Sequence, residues 1–205
     1  MKQTDIYQLL AFLLNYPNED MKHTLPEIKE LLQSVEDEEI RQKLDTFVSE
    51  IDKLSLDEWI HSYVEQFDFG KKTNLYVTYL KMGEQKERGL ELLKLKKFYQ
   101  AAGFSVTDKE LPDYVPLMLE FSANVSTEIR KELWKVHERA IWEIRDKLLS
   151  INSFYIPVFD VIIQLLKKDG VEHQALAEKQ PPTPNLEDQA ILASMRDQLI
   201  KNQLG

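Results

Sequence analysis

Apolar residues recur at helical spacing along most of the chain. Ile6, Leu9, Leu10, Leu13 and Leu14 share one face, and Thr4 or Asp5 stands where a cap belongs. A first helix is therefore predicted over residues 6–14, stopped by Tyr16-Pro17-Asn18. Leu25, Ile28, Leu31, Leu32 and Val35 mark a second helix. The acidic run over residues 36–39 suits the first turn of a third, whose buried side reads Ile40, Leu44, Phe47, Val48, Ile51 and Leu54. Ser55 and Glu58 have capping-box spacing for a fourth, with Trp59, Ile60, Tyr63, Val64 and Phe67 on its apolar face. Asp68-Phe69-Gly70 breaks it.

Residues 75–82 carry strand propensity in Tyr76, Val77, Thr78 and Tyr79. Their confident neighbours read as helix, so the residues alone leave a strand and a short helix both open there. Residues 84–102 form a clearer helix, with Leu90, Leu93, Leu95, Phe98 and Ala101 on a broad apolar side and Gly103 as a left-handed cap. Leu111-Pro112 and Val115-Pro116 then set two prolines close together. Pro112 fits a helix start, where its missing N–H costs nothing, and the helix is predicted over 112–124. This would hold Glu110, Asp113 and Tyr114 at a polar helix entrance. The longest predicted helix runs from Ser126 or Thr127 to about Ser150, along Ile129, Leu133, Val136, Ala140, Ile141, Ile144 and Leu148. A last bundle helix covers 154–168, with Pro157 in its first turn and Asp169-Gly170 as its stop. The pattern is that of an all-α, single-domain helical bundle over residues 1–170. Residues 171–205 read as a linker stiffened by Pro181, Pro182 and Pro184, leading to an amphipathic helix with Leu192, Met195 and Leu199 on one side.

The middle third also resembles a known family. Tyr63-Val64, Phe67-Asp68, Leu75-Tyr76-Val77-Thr78-Tyr79, Gly83, Arg88-Gly89, Leu92-Leu93, Leu95-Lys96, Ala102-Gly103, Glu110-Leu111-Pro112-Asp113-Tyr114, Pro116 and Leu119-Glu120-Phe121 carry the likeness. Together they are similar to the NarJ family, assembly chaperones of respiratory nitrate reductase within the wider TorD-like redox-enzyme chaperones. Residues 1–62 match only in helical pattern, and Tyr114 stands where many of the wider group have His. The resemblance implies an all-helical chaperone, and with it a short helix rather than a strand over residues 75–82. It implies a partner too, the nitrate reductase α subunit, whose amino-terminal peptide is held during molybdenum-cofactor insertion. That cofactor belongs to the client, so none is expected on this chain. Tyr63, Phe67, Asp68, Tyr76, Tyr79, Arg88, Glu110, Leu111, Pro112, Asp113 and Tyr114 become the candidate peptide-binding residues.

Charge narrows the partners. The formal net charge of the 205 residues is -9. Such a balance argues against nonspecific nucleic-acid or anionic-membrane binding and favours a basic partner. Cysteine is absent, which removes thiolate chemistry and suits a cytoplasmic setting. No apolar run is long enough for a membrane span, and the run over residues 6–14 lacks a signal-peptide cleavage pattern. Self-association into a homodimer is left open.

Motifs for chemistry are weak. His23, His61, His137 and His173 are dispersed without metal spacing. Asp68-Phe69-Gly70 lacks the other kinase elements, Gly70-Lys71-Lys72-Thr73 falls short of a phosphate loop, and no nucleophile elbow is present. A binding protein rather than an enzyme is expected. The aromatics Tyr63, Phe67, Tyr76, Tyr79 and Tyr114 can be core or can line a groove. Arg88 can tether a loop or hold Asp68 or Glu110. A helical regulatory or small-ligand-binding module is the alternative to a chaperone.

Overall fold

The computed structural model describes residues 1–69, 73–81, 85–105 and 110–173, excepting the side chains of residues 80, 81 and 85–87. Helices dominate: α1 (Gln3–Leu13), α2 (Glu19–Leu32), α3 (Glu38–Lys53), α4 (Leu56–Tyr63), α5 (Val77–Lys81), α6 (Gln85–Ala101), α7 (Val115–Ala123), α8 (Thr127–Lys135), α9 (Glu138–Ser150) and α10 (Ile156–Lys168). A π-helical turn, Val64–Asp68, extends α4. The architecture is the expected all-α bundle. Among the described residues there is no strand, only an isolated antiparallel bridge between Tyr76 and Tyr114.

α10 is the axis of the bundle. It buries Val158, Phe159, Val161, Ile162, Ile163, Leu165 and Leu166, and keeps one polar stripe of Asp160, Gln164, Lys167 and Lys168. It packs against α9, α3 and α1, and α1 lies along α7. Each fully buried aliphatic or aromatic side chain contributes roughly 1.5–3 kcal/mol before chain entropy is set against it.

Local signals set many of the ends. Asn18 Oδ1 accepts the Met21 N–H at 2.9 Å and Asp37 Oδ1 accepts that of Ile40 at 3.1 Å. The Ser55–Glu58 box forms as the sequence predicts, with Ser55 N–H donating to Glu58 at 2.8 Å. Pro157 lies in the first turn of α10, and Gly103 takes φ 88°, the left-handed cap expected after α6. At α1 the cap differs from expectation. The helix starts at Gln3, and Asp5 accepts the Lys2 N–H at 2.9 Å from inside the first turn.

Larger differences arise where distant segments meet. The helix expected over 126–150 is broken at Val136 and His137, where the His137 N–H closes a tight turn onto Trp134 O at 3.0 Å. The turn leaves Val136 exposed and lets Trp134, His137 and Ala140 all face inward. The helix expected over 112–124 begins at Val115 instead, with Pro116 rather than Pro112 in its first turn. Tyr114 is held extended before the helix because Val77 N–H donates to Asp113 O at 3.1 Å and Val115 N–H to Leu75 O at 2.8 Å. Both propensities of residues 75–82 are therefore expressed, a bridge at Tyr76 followed by α5. On α6, Leu95 is buried but Leu90 and Leu93 are 61% and 49% exposed, contrary to the apolar side assigned to them.

The described residues belong to one unit, Met1–His173, which runs past the Gly170 stop because Val171 is buried and His173 stacks on Trp142. The proline linker and amphipathic helix expected in the tail lie outside the described residues.

A buried polar node joins the helices around the core. Asp169, just past α10, accepts from Arg130 Nε at 2.9 Å, Tyr7 Oη at 2.7 Å and Gln3 Nε2 at 2.8 Å. Arg130 also donates to the carbonyls of Val125 at 2.9 Å and Ser122 at 3.3 Å. Burial and the Asp169 carboxylate push the Tyr7 phenol well above its ordinary value, so it stays a donor. Arg130→Leu should destabilise the protein by about 3–5 kcal/mol in urea unfolding, because Asp169 is left buried and unpaired. Tyr7→Phe should cost about 1 kcal/mol, and loss of the exposed Lys29–Asp52 pair less than about 1 kcal/mol.

Asp37 links two helices and makes stability pH-dependent. Its carboxylate accepts from Lys168 of α10 at 2.5 Å as well as capping α3. The Lys168 hydrogen bond and the cap hold its pKa below the ordinary 3.8. A lowered folded value means the contribution is complete above the unfolded pKa and fades as pH falls through the folded one. Asp37→Asn should therefore flatten the acid limb of the stability profile below about pH 4, measured by unfolding across pH.

Candidate functional site

The π-helical turn Val64–Asp68 decides where the site lies. A π turn widens the helix and re-aims its side chains, and such turns are frequent at functional sites. Here it points Phe67 into the core beside Tyr155, with ring centroids 4.8 Å apart, and leaves Asp68 at the surface. Gln66 is anchored on both sides: its amide donates to Ser62 Oγ at 2.5 Å, and its carbonyls accept from Thr73 and Ser153.

In front of this turn is a cavity of about 180 Å³ walled by Tyr16, Tyr63, Phe67, Leu75, Tyr76, Tyr114 and Asp68. Tyr16 meets Tyr63 edge-on at 5.5 Å, and Tyr76 lies 5.1 Å from Tyr114. The phenols are tied down. Tyr63 Oη donates to Leu14 O at 3.1 Å and stands 3.0 Å from Tyr114 Oη, while Tyr76 Oη donates to Glu110 at 2.9 Å. Burial raises the Tyr63, Tyr76 and Tyr114 pKa values, so these rings are neutral. Partial burial also pushes the Asp68 carboxyl above its ordinary value.

Of the predicted site residues, Tyr63, Phe67, Asp68, Tyr76 and Tyr114 come together at this cavity, with Glu110 joined to it through Tyr76. Glu110 also edges a second cleft of about 210 Å³ against Tyr99, Phe104, Leu117 and Phe121. Tyr16 and Leu75 were not foreseen. Tyr16 sits in a helix-stopping triplet outside the helical period, and its only signal is that an aromatic stands there.

The remaining candidates lie elsewhere. Asp113 was expected at an exposed helix entrance, but it is 0% exposed. Its Oδ2 accepts from the Thr78 N–H at 3.1 Å and from the Thr78 hydroxyl at 2.5 Å. Arg88 stands 3.8 Å away and donates through Nε to Thr78 Oγ1 at 3.2 Å. Arg88 thus serves Asp113 and Thr78, not Asp68 or Glu110 as the sequence reading allowed, and it covers the half-exposed Tyr79 ring at 5.6 Å. Pro112 is buried with its carbonyl taking the Tyr99 hydroxyl at 2.8 Å, and Leu111 is 40% exposed. Together Asp113, Thr78, Arg88 and Tyr99 form a latch behind the cavity. It holds residues 75–78 against 112–115 and so fixes Tyr76 beside Tyr114.

Among the described residues no group of His, Asp and Glu is placed to hold a metal ion, and no helix is long and apolar enough to cross a membrane. The arrangement offers aromatic faces, phenol oxygens and carboxylates for binding. The latch predicts a stability phenotype. Asp113→Ala should cost about 1.5–3 kcal/mol in chemical unfolding, from lost hydrogen bonds to a buried charge. Thr78→Val should be destabilising too, and the double mutant should cost less than the sum, since both remove one interaction.

Comparison with known proteins places the chain. Residues 18–160 match the nitrate reductase delta subunit family. The chain is 42% identical over 165 residues to the probable nitrate reductase molybdenum cofactor assembly chaperone NarJ of Bacillus subtilis (strain 168), covering 80% of this chain and 90% of that one. It is 28% identical over 143 residues to the nitrate reductase molybdenum cofactor assembly chaperone NarJ of Escherichia coli (strain K12), covering 68% of this chain and 59% of the relative. The nitrate reductase-like protein NarX of Mycobacterium tuberculosis (strain ATCC 25618 / H37Rv) shares 31% identity over 128 residues, 62% of this chain and 19% of NarX. The matched span runs from the cap of α2 into α10 and contains every cavity residue except Tyr16. With the helical fold and the latched middle segment on this span, the chain belongs to the nitrate reductase delta subunit family.

Proposed function

We propose that this protein is a cytoplasmic assembly chaperone for respiratory nitrate reductase. It holds the amino-terminal segment of the enzyme's α subunit while the molybdenum cofactor is inserted, and then releases it for complex assembly. It acts by binding rather than by catalysis. Support comes from the relatives' names and, in this chain, from the aromatic cavity with Asp68 in its wall. That cavity lies at the surface on a rigid backing, as a peptide site requires.

An amphipathic peptide helix would cover the cavity and the half-exposed Tyr16 and Leu111 around it. A few large side chains buried on each side contribute roughly 1.5–3 kcal/mol apiece, and ordering of the peptide offsets much of this. Micromolar to nanomolar affinity follows, which leaves release fast enough for assembly. The cavity's size weighs against the small-ligand module. At about 180 Å³ it falls short of the roughly 300–1,000 Å³ of small-molecule sites.

Calorimetric titration with a synthetic peptide of the α-subunit amino terminus tests the reading. Saturable one-to-one binding is expected. Tyr16→Ala should weaken it by about 10–100-fold with little change in Tm, because a half-exposed aromatic anchor is lost. A peptide that fails to bind the wild-type chain at high micromolar concentration would sink the proposal.

A further inference from the structure

We infer that the aromatic cavity is a cation subsite, built to take the ammonium or guanidinium of one basic side chain. This rests on the proposed function only for the source of that side chain, the client's amino-terminal segment. The walls are the rings of Tyr16, Tyr63, Phe67, Tyr76 and Tyr114 together with Leu75, and Asp68 stands among them. Ring faces attract a cation, and a carboxylate beside them adds a direct charge partner.

Hydrogen-bond direction points the same way. A carbonyl can only accept, so the Tyr63 hydroxyl proton goes to Leu14 O. In the Tyr63–Tyr114 contact, Tyr114 must then be the donor. Tyr76 gives its proton to Glu110. Each of these phenol protons is therefore spent inside the protein, and what the oxygens still offer is lone pairs. Ammonium and guanidinium groups carry donors only, so they fit the accepting oxygens that Tyr63, Tyr76 and Tyr114 present.

Asp68 supplies a charge at the cavity wall. Among the described residues no cation is paired with it, and its raised carboxyl comes from desolvation alone. Glu110, the other carboxylate at this end, already accepts from Tyr76 and from the Leu111 N–H at 2.8 Å. Arg88, which the sequence reading offered to these acids, is turned to Asp113 and Thr78. An apolar side chain in the cavity would desolvate Asp68 further and return nothing. A basic one would neutralise it while its methylenes lie along Leu75 and the rings.

The test uses small probes and the peptide on the full chain. n-Butylammonium and n-butylguanidinium, at millimolar concentration, should shift the ring resonances of Tyr16, Tyr63, Tyr76 and Tyr114 in NMR titrations. n-Butanol should bind at least about tenfold more weakly, and Asp68→Asn should abolish the difference. In the peptide, norleucine at one basic position should reduce affinity about 10–100-fold on the wild type and far less on Asp68→Asn. Asp68→Asn should keep or raise Tm, since it removes a partly desolvated carboxylate. The inference is overturned if butanol binds as well as the cations, if neither cation shifts the cavity tyrosines, or if norleucine at every basic position leaves peptide affinity unchanged. A Tm drop of several degrees in Asp68→Asn would likewise overturn it, by assigning Asp68 to the fold. A parent peptide that does not bind refutes the proposed client, while the butyl probes still decide the subsite.

Discussion

A carboxylate buried just past the central helix has to be neutralised, and that requirement organises the bundle. Asp169 is 2% exposed at its side chain and Arg130 5%, so each would be prohibitive alone. Their pairing draws α8 onto the end of α10, and Tyr7 and Gln3 bring α1 to the same point. Arg130 also takes up carbonyls at the end of α7 and in the turn after it. Apolar burial supplies most of the driving force, but it is non-directional. The polar node, satisfied from several sides, is what excludes a slipped arrangement of the same greasy faces.

From this node the geometry passes to the site through rigid elements. α1 is fixed at its start by Asp169 and offers Leu14 O, just beyond its end, to Tyr63. α7 is fixed near its end by Arg130 and at its entrance by the pairing of residues 113–115 with 75–77. Asp113 stabilises that pairing from behind, where no solvent reaches it. The cavity is the space left between these held pieces and the π turn. Its rings are placed by burial and hydrogen bonds on their inner sides, so the outer sides are preorganised without being engaged.

What the sequence made legible was whatever a few neighbouring residues decide. The Ser55–Glu58 box, the Gly103 cap and the Pro157 start are local chemistry and appear where expected. The choice between Pro112 and Pro116 as helix start is different. It is made by hydrogen bonds to residues some 35 positions away, between Thr78 and Asp113, which no spacing rule encodes. The break between α8 and α9 has neither proline nor glycine, and periodicity runs through it unchanged. Only the inward demands of Trp134 and His137 reveal it. The aromatic and acidic character of the site could be read directly, yet its membership could not. Asp113 and Asp68 look alike in the sequence, and folding sends one into the core with Thr78 and leaves the other at the rim.

That difference between two aspartates separates a group that holds the fold from one that the proposed binding site would use. Asp113 contributes to stability and is shielded from any partner. Asp68 is partly desolvated against aromatic rings with no compensating cation among the described residues, a local cost retained in the free protein. Groups of that kind are typical of binding sites, where stability is given up for interaction. A charge kept half in water is also a moderate anchor. It speeds encounter with a basic segment, and screening by salt keeps the bound state from becoming permanent. Under the proposed chaperone role, which requires both holding a client and letting it go, a carboxylate at the cavity rim is better suited than one buried as deeply as Asp169.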